Sequence, residues 1–189
     1  MASIVVETNL PVAMRDGIRL LADLYRPSRV GRYPLLLQRT PYDKSAGRAQ
    51  FLDAIKAAEQ GYAVVIQDTR GRYSSEGEFT TLVSDIQDGY GTVEWRASEP
   101  CSNARVGMYG ISYVGATQWL AAIAAPPHLC TIVPGMTAAE YHNGWVYRGG
   151  ALNLAFVAGW AAQFLAVPHL RRLRLTTDQR REEVEAVKR

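Results

Sequence analysis

Four short apolar runs, at residues 33–37, 63–66, 104–109 and 131–133, alternate with stretches whose apolar residues recur at helical spacing. This alternation constrains the chain more than any other feature. Strands that show no polar face need cover on both sides, and helices crossing between successive strands supply it. The architecture expected is α/β: a mostly parallel sheet with flanking helices and right-handed crossovers. The intervening helices fall at residues 51–60, with Phe51, Leu52, Ile55 and Ala58 on one face and Gly61 as the stop, at 84–97, capped by Ser84 and carrying Ile86, Tyr90, Val93 and Trp95, and at 113–124. Ahead of them, apolar and polar residues alternate on both sides of Arg15-Asp16-Gly17, which predicts an antiparallel hairpin with Ile18, Leu20, Ala22 and Leu24 on one face and Pro27 at its close.

At 189 residues, 48% hydrophobic and 21% charged, the chain has the make-up of a folded domain rather than a disordered one. Its net charge of +3 comes from the tail: residues 171–189 hold seven Lys or Arg against four Asp or Glu, while residues 1–170 hold 14 of each. A neutral body has no basic stripe for nucleic acid, and the tail reads as a solvated helix of mixed charge. The start lacks the basic and apolar regions of a secretory signal, and the most apolar stretch, residues 151–167, is too short and too polar for a membrane span. A cytoplasmic protein without membrane or nucleic-acid partners is expected. Cys101 and Cys130 read as reduced thiols, too far apart to suggest a metal pair, and no metal or cofactor is expected. After Gly135 the character changes. Residues 136–168 are rich in aromatic residues, Gly and Ala and almost free of charge, so the expected division is a main α/β part at 1–135 and packed helices with a charged tail at 136–189.

The sequence Val106-Gly107-Met108-Tyr109-Gly110-Ile111-Ser112-Tyr113-Val114-Gly115 runs from a strand through a glycine-flanked serine into a helix. A nucleophile elbow needs that context: the sharp turn lifts the serine Oγ above the carboxyl end of the sheet, where open α/β folds place their sites. The helix start behind the serine leaves amide groups, that of Tyr113 among them, to meet a developing oxyanion. Val114 stands where G-x-S-x-G has its second glycine, so a serine capping a helix after a strand is the other reading of these residues. The loop at 68–77 is glycine-rich with two arginines. It lacks the Gly-Lys-Ser or Gly-Lys-Thr of a phosphate loop and reads as structural.

The serine decapeptide, together with Gln67-Asp68-Thr69-Arg70-Gly71, Ser75-Glu76-Gly77, Thr40-Pro41-Tyr42-Asp43-Lys44, Met14-Arg15-Asp16-Gly17 and Arg148-Gly149-Gly150, resembles the cocaine esterase and X-prolyl dipeptidyl-peptidase branch of the α/β hydrolases, in order and spacing, from about residue 10 to residue 165. The resemblance implies an α/β-hydrolase fold of which this chain carries the N-terminal part, followed by the beginning of a helical cap. It implies Ser112 as the acylated nucleophile, Tyr42 as a hydroxyl donor to the oxyanion and the Tyr113 amide as the second donor. Trp145 and Trp160 fall where the family lines its acyl pocket, with plain core packing as the competing reading. Substrates in the branch include carboxylic esters, amino-acid esters, β-lactam side-chain amides and X-Pro peptides.

In this branch the triad's acid and histidine lie on loops well downstream of the cap, and only 77 residues follow Ser112. The chain's histidines are His128, His142 and His169. Ser112, Glu140 and His169 satisfy the nucleophile–acid–histidine order without falling on family positions. The chain is therefore expected to be a truncated or fragmentary serine hydrolase of low or no activity by itself, since removing the base from such a serine lowers turnover by about a million-fold. The alternative is a non-catalytic remnant that binds an apolar acyl ligand or a protein partner. Self-association is expected in either case.

Overall fold

The computed structural model describes residues 3–47, 51–166 and 177–187. Strands β1 (Ile4–Ala13) and β2 (Arg19–Pro27) pair antiparallel across a turn in which Gly17 takes φ 83°, a left-handed conformation that glycine holds without strain. Strands β3 (Tyr33–Thr40), β4 (Ala63–Asp68), β5 (Ser102–Ile111) and β6 (Leu129–Gly135) complete a six-stranded sheet of order β1-β2-β4-β3-β5-β6. Pairing is antiparallel from β1 to β4 and parallel from there to β6.

Three helices make the crossovers. α1 (Ala54–Glu59) starts at Asp53, whose carboxylate accepts the Ile55 and Lys56 amides, and it packs Ala54, Ala57 and Ala58 against Tyr25, Val64, Ile66 and Tyr109 on one face of the sheet. α2 (Asp85–Ser98) and α3 (Tyr113–Ile123) bring Val93, Ala97 and Ala121 to the other face, against Leu20, Leu35, Leu37, Val65, Val106 and Met108. The sheet is thus covered on both sides, as strands this apolar require.

Several boundaries differ from the sequence pattern. The first helix starts at Ala54, and Phe51, 49% exposed, precedes it and stacks on Tyr109. Strands β3 and β4 continue past their apolar runs through Gln38, Arg39, Thr40, Gln67 and Asp68, all buried. Ser84 stands at the N-cap of α2 without a capping hydrogen bond.

The chain divides into two compact units, Met1–Thr137 and Ala138–Arg189. In the second, β7 (Tyr147–Arg148) and β8 (Ala151–Leu152) form a small hairpin where helix alone was expected, its turn made by Gly149 and Gly150 at φ 54° and 81°. α4 (Leu154–Trp160), none of whose residues is buried, runs into a π-helical stretch at Ala161–Ala166, and α5 is Thr177–Val187. The described side chains of α5 are exposed, in keeping with a solvated helix of mixed charge. Among the described residues no helix is long and apolar enough to cross a membrane.

Candidate active site

Ser112 lies between the end of β5 and the first turn of α3, at φ 57° and ψ −127°. A residue with a Cβ rarely enters that region, and such strain persists only where the surroundings enforce it. The enforcement is visible on every side. The Ser112 amide donates to the Gly135 carbonyl at the end of β6 (2.9 Å), and the Ser112 carbonyl accepts the Gly115 and Ala116 amides at 2.9 Å each. Buried Gln118 donates to the carbonyls of Gly110 (3.2 Å) and Val114 (3.1 Å), while its oxygen accepts the Val133 amide (2.9 Å). Although Ser112 occupies the N-cap position, its hydroxyl makes no capping hydrogen bond.

The two glycines have distinct steric reasons. Gly110 takes φ 137°, and a Cβ there would run into the Val114 side chain. Gly115 faces β6: a Cβ would sit 2.7 Å from Thr137 Cγ2 and 3.0 Å from the Gly135 carbonyl oxygen. The second glycine is therefore needed three residues after the serine, where the backbones meet, and position 114 is free to carry valine.

Tyr42 follows β3, the parallel neighbour of β5, so it and Ser112 share the carboxyl edge of adjacent strands. Its ring meets the Tyr113 ring edge-on, with centroids 6.3 Å apart. The Tyr113 side chain, 1% exposed, turns under the elbow, where its hydroxyl accepts the Leu82 amide (2.8 Å) and donates to Asp85 Oδ2 (2.8 Å). Arg39 Nη1 lies 3.2 Å from Asp85 Oδ1, and Arg39 Nε donates to Gln67 Oε1 (2.9 Å). Burial raises the Asp85 pKa, against the pull of Arg39 and the Tyr113 hydroxyl. Burial, followed by the nearby Asp85 charge, raises that of Tyr113. Sequence patterns pointed to neither Asp85 nor Arg39. The available signal was a charged residue at a strand or helix end otherwise devoted to the core.

The arginines of the 68–77 loop are committed within the fold. Arg70 bridges Asp88 (2.6 Å) and Asp16 (2.7 Å), and Arg72, buried over the Phe79 ring, donates from Nε to the Pro41 carbonyl (2.9 Å).

The first unit contains one histidine, His128. Its Nδ1 lies 2.8 Å from Glu94 Oε2 and its carbonyl accepts the Val106 amide. This is the amino end of β6, so six residues of β5 at about 3.3 Å each separate it from Ser112, roughly 20 Å. In the second unit Glu140 closes a turn by accepting the His142 (2.8 Å) and Asn143 (2.8 Å) amides, and the Asn143 amide bond leads the causes that lower its pKa. His169 lies outside the described residues. Trp145 packs against Tyr141 and Phe156, with centroids 5.2 and 6.4 Å away, and Trp160 ends α4 in the same unit.

A doubly covered, mostly parallel sheet with a strained serine between strand and helix defines an α/β hydrolase fold. The chain belongs to the X-Pro dipeptidyl-peptidase (S15) family, whose model matches residues 16–188. Cocaine esterase of Rhodococcus sp. (strain MB1 Bresler) is 45% identical over 161 residues, covering 83% of this chain and 28% of that protein. An alpha-amino acid ester hydrolase superposes with a TM-score of 0.70 at 29% identity, over 86% of this chain and 30% of its own. A CocE/NonD family hydrolase from Staphylococcus aureus shares the fold, with a TM-score of 0.82 at 23% identity over 98% of this chain and 36% of its own. The chain thus spans less than a third of the length of the cocaine esterase it matches.

Proposed function

We propose that these residues are the nucleophile-bearing part of a serine hydrolase that cleaves carboxylic esters, or amide and X-Pro peptide bonds, through an acyl-enzyme on Ser112. The observation that carries this reading is the strained Ser112, held at the carboxyl edge of the sheet with its hydroxyl withheld from capping. Ser112 Oγ attacks the acyl carbonyl, and the charge that gathers on the carbonyl oxygen meets the Tyr42 hydroxyl and the Tyr113 amide. Such donors act most on charge that exists only in the transition state. A histidine takes the Oγ proton and returns it to the leaving oxygen or nitrogen, and water then releases the acyl group by the reverse sequence.

With His128 at the far end of the sheet and Glu140 engaged in its own turn, the reading assigns the acid and the histidine to further parts of a longer polypeptide, of the kind that makes up the remainder of cocaine esterase. The second unit would then be the beginning of a cap, carrying Trp145 and Trp160 as candidate substrate-binding residues.

The test joins this chain to the remaining segment of the Rhodococcus cocaine esterase and follows hydrolysis of an activated aryl ester. Without that segment, rates should stand only about a thousand-fold to ten-thousand-fold above water, the level left in triad-deleted serine proteases. With it, turnover should rise by several orders of magnitude, vanish in Ser112→Ala and fall about a hundred-fold in Tyr42→Phe. A gain that survives Ser112→Ala, or efficient turnover by the 189 residues alone that depends on Glu140 or His169, would overturn the assignment.

A further inference from the structure

The segment that carries Tyr42 is short, and its ends are held by the last residue of β4 and by the loop that follows. At one end the Pro41 carbonyl accepts Arg72 Nε (2.9 Å). At the other the Lys44 amide donates to Asp68 Oδ1 (2.7 Å). Between them Asp43 takes φ 86°, a conformation that a non-glycine residue keeps only under constraint. Asp68 is 0% exposed, and its second oxygen accepts the Ser74 amide (3.2 Å), so one buried carboxylate ties the Tyr42 segment to the 68–77 loop. That loop is itself anchored. The Thr69 amide donates to the Thr40 carbonyl (3.0 Å), and Ser75 Oγ donates to the Asp68 carbonyl (2.7 Å) while accepting the Leu21 amide (2.9 Å).

We infer that Asp68 is a positioning residue of the oxyanion hole: its carboxylate fixes the turn at residues 41–44 and with it the direction of the Tyr42 hydroxyl. The inference rests on the role proposed above for Tyr42. Asp68 touches no reacting atom and acts through the Lys44 amide.

The state of this carboxylate changes in an accessible range. Burial pushes the Asp68 pKa up to about 6, opposed by the Lys44 and Ser74 amides and the Lys44 charge, while Asp43 pushes it further up. Lys44 in turn pairs with Asp23 of β2 (3.4 Å), and Tyr73, beside Arg72 in the 68–77 loop, feels the Asp68 charge. Protonation removes the charge and makes one of the two oxygens a weaker acceptor, so the hold on one of the two amides slackens and the turn loosens.

Two measurements test this, one of them independent of activity. In the chain labelled with ¹³C at the tyrosine ζ carbons, the Tyr42 resonance, assigned by its loss in Tyr42→Phe, should move through a transition near pH 6. That transition should be absent in Asp68→Asn, where Lys44 amide exchange should also accelerate at least ten-fold while the Leu37 amide is unchanged. In the joined enzyme, Asp68→Asn should lower kcat about ten-fold with KM unchanged, and should add nothing to the loss in Tyr42→Phe. A Tyr42 resonance flat from pH 4.5 to 8 in the parent chain would overturn the inference whether or not Asp68→Asn folds. Equal losses from Asp68→Asn in the presence and absence of the Tyr42 hydroxyl would overturn it too. Should the joined enzyme be inactive, the proposed hydrolase reading fails while the resonance still decides whether Asp68 holds the Tyr42 turn.

Discussion

Replacing Tyr113 with phenylalanine removes one oxygen from beneath the elbow, and the structure sets what that oxygen does. It donates to Asp85 Oδ2 (2.8 Å), while Arg39 Nη1 lies 3.2 Å from Oδ1 and donates to the Asp85 carbonyl (3.2 Å). A buried acceptor left unsatisfied costs about 1–3 kcal/mol, toward the upper end when charged, and the part-exposed Leu82 amide adds about 1 kcal/mol before water replaces the lost partner. The expected total is about 3 kcal/mol. For a chain of this length each kcal/mol corresponds to about 2–4 °C in Tm, so Tyr113→Phe should melt roughly 6–12 °C lower by circular dichroism at pH 8. The pH dependence has a definite sign. Burial raises the Asp85 pKa in the fold, so the folded state favours the protonated form, and removing the Tyr113 donor raises that pKa further. The deficit of the variant should therefore be greatest at high pH and shrink as the pH falls and Asp85 takes up a proton in both proteins. A Tm within about 2 °C of the parent at pH 8, or a deficit that grows on acidification, would refute the account of this network.

The strain at Ser112 predicts that Ser112→Gly is more stable than Ser112→Ala by about 1 kcal/mol in urea unfolding, since glycine alone accepts φ 57° and ψ −127° freely. The opposite order would mean that the elbow is unstrained. Self-association of the 189 residues is expected at β6, an edge strand of the described sheet whose Val133 is 51% exposed. Light scattering at micromolar concentration should show species above the monomer, reduced by Val133→Lys, and a stable monomer would count against this.

Much of the sheet could be read from the sequence because its strands are apolar and its first turn is Asp-Gly. The misplaced ends of β3 and β4 share one cause. Hydrophobic patterning treats Gln38, Arg39, Gln67 and Asp68 as loop residues, whereas the fold buries them by pairing Arg39 with Gln67 and Asp85, and Asp68 with two backbone amides. Apart from Ser74, six residues from Asp68, these partners lie 24 to 46 residues apart and leave no local mark. The serine turn was conspicuous because its constraints are local: Gly110 must clear Val114 four residues on. Why the second glycine stands at 115 became clear only with β6 in place, since the obstacle is Thr137 and the Gly135 carbonyl. The hairpin at 147–152 was hidden in a stretch rich in helix formers, although Gly149-Gly150 marks its turn.

The backbone at Ser112 also bears on descent. If a serine there is less stable than glycine, as the strain predicts, substitution to glycine improves the fold, and a demand for the hydroxyl is what would oppose that drift. A polypeptide long released from its reaction would accumulate glycine at this position at no loss to itself. On the proposed serine-hydrolase reading the hydroxyl is what keeps serine at φ 57°, and a remnant without that reaction would be expected to diverge from a working hydrolase first at this residue.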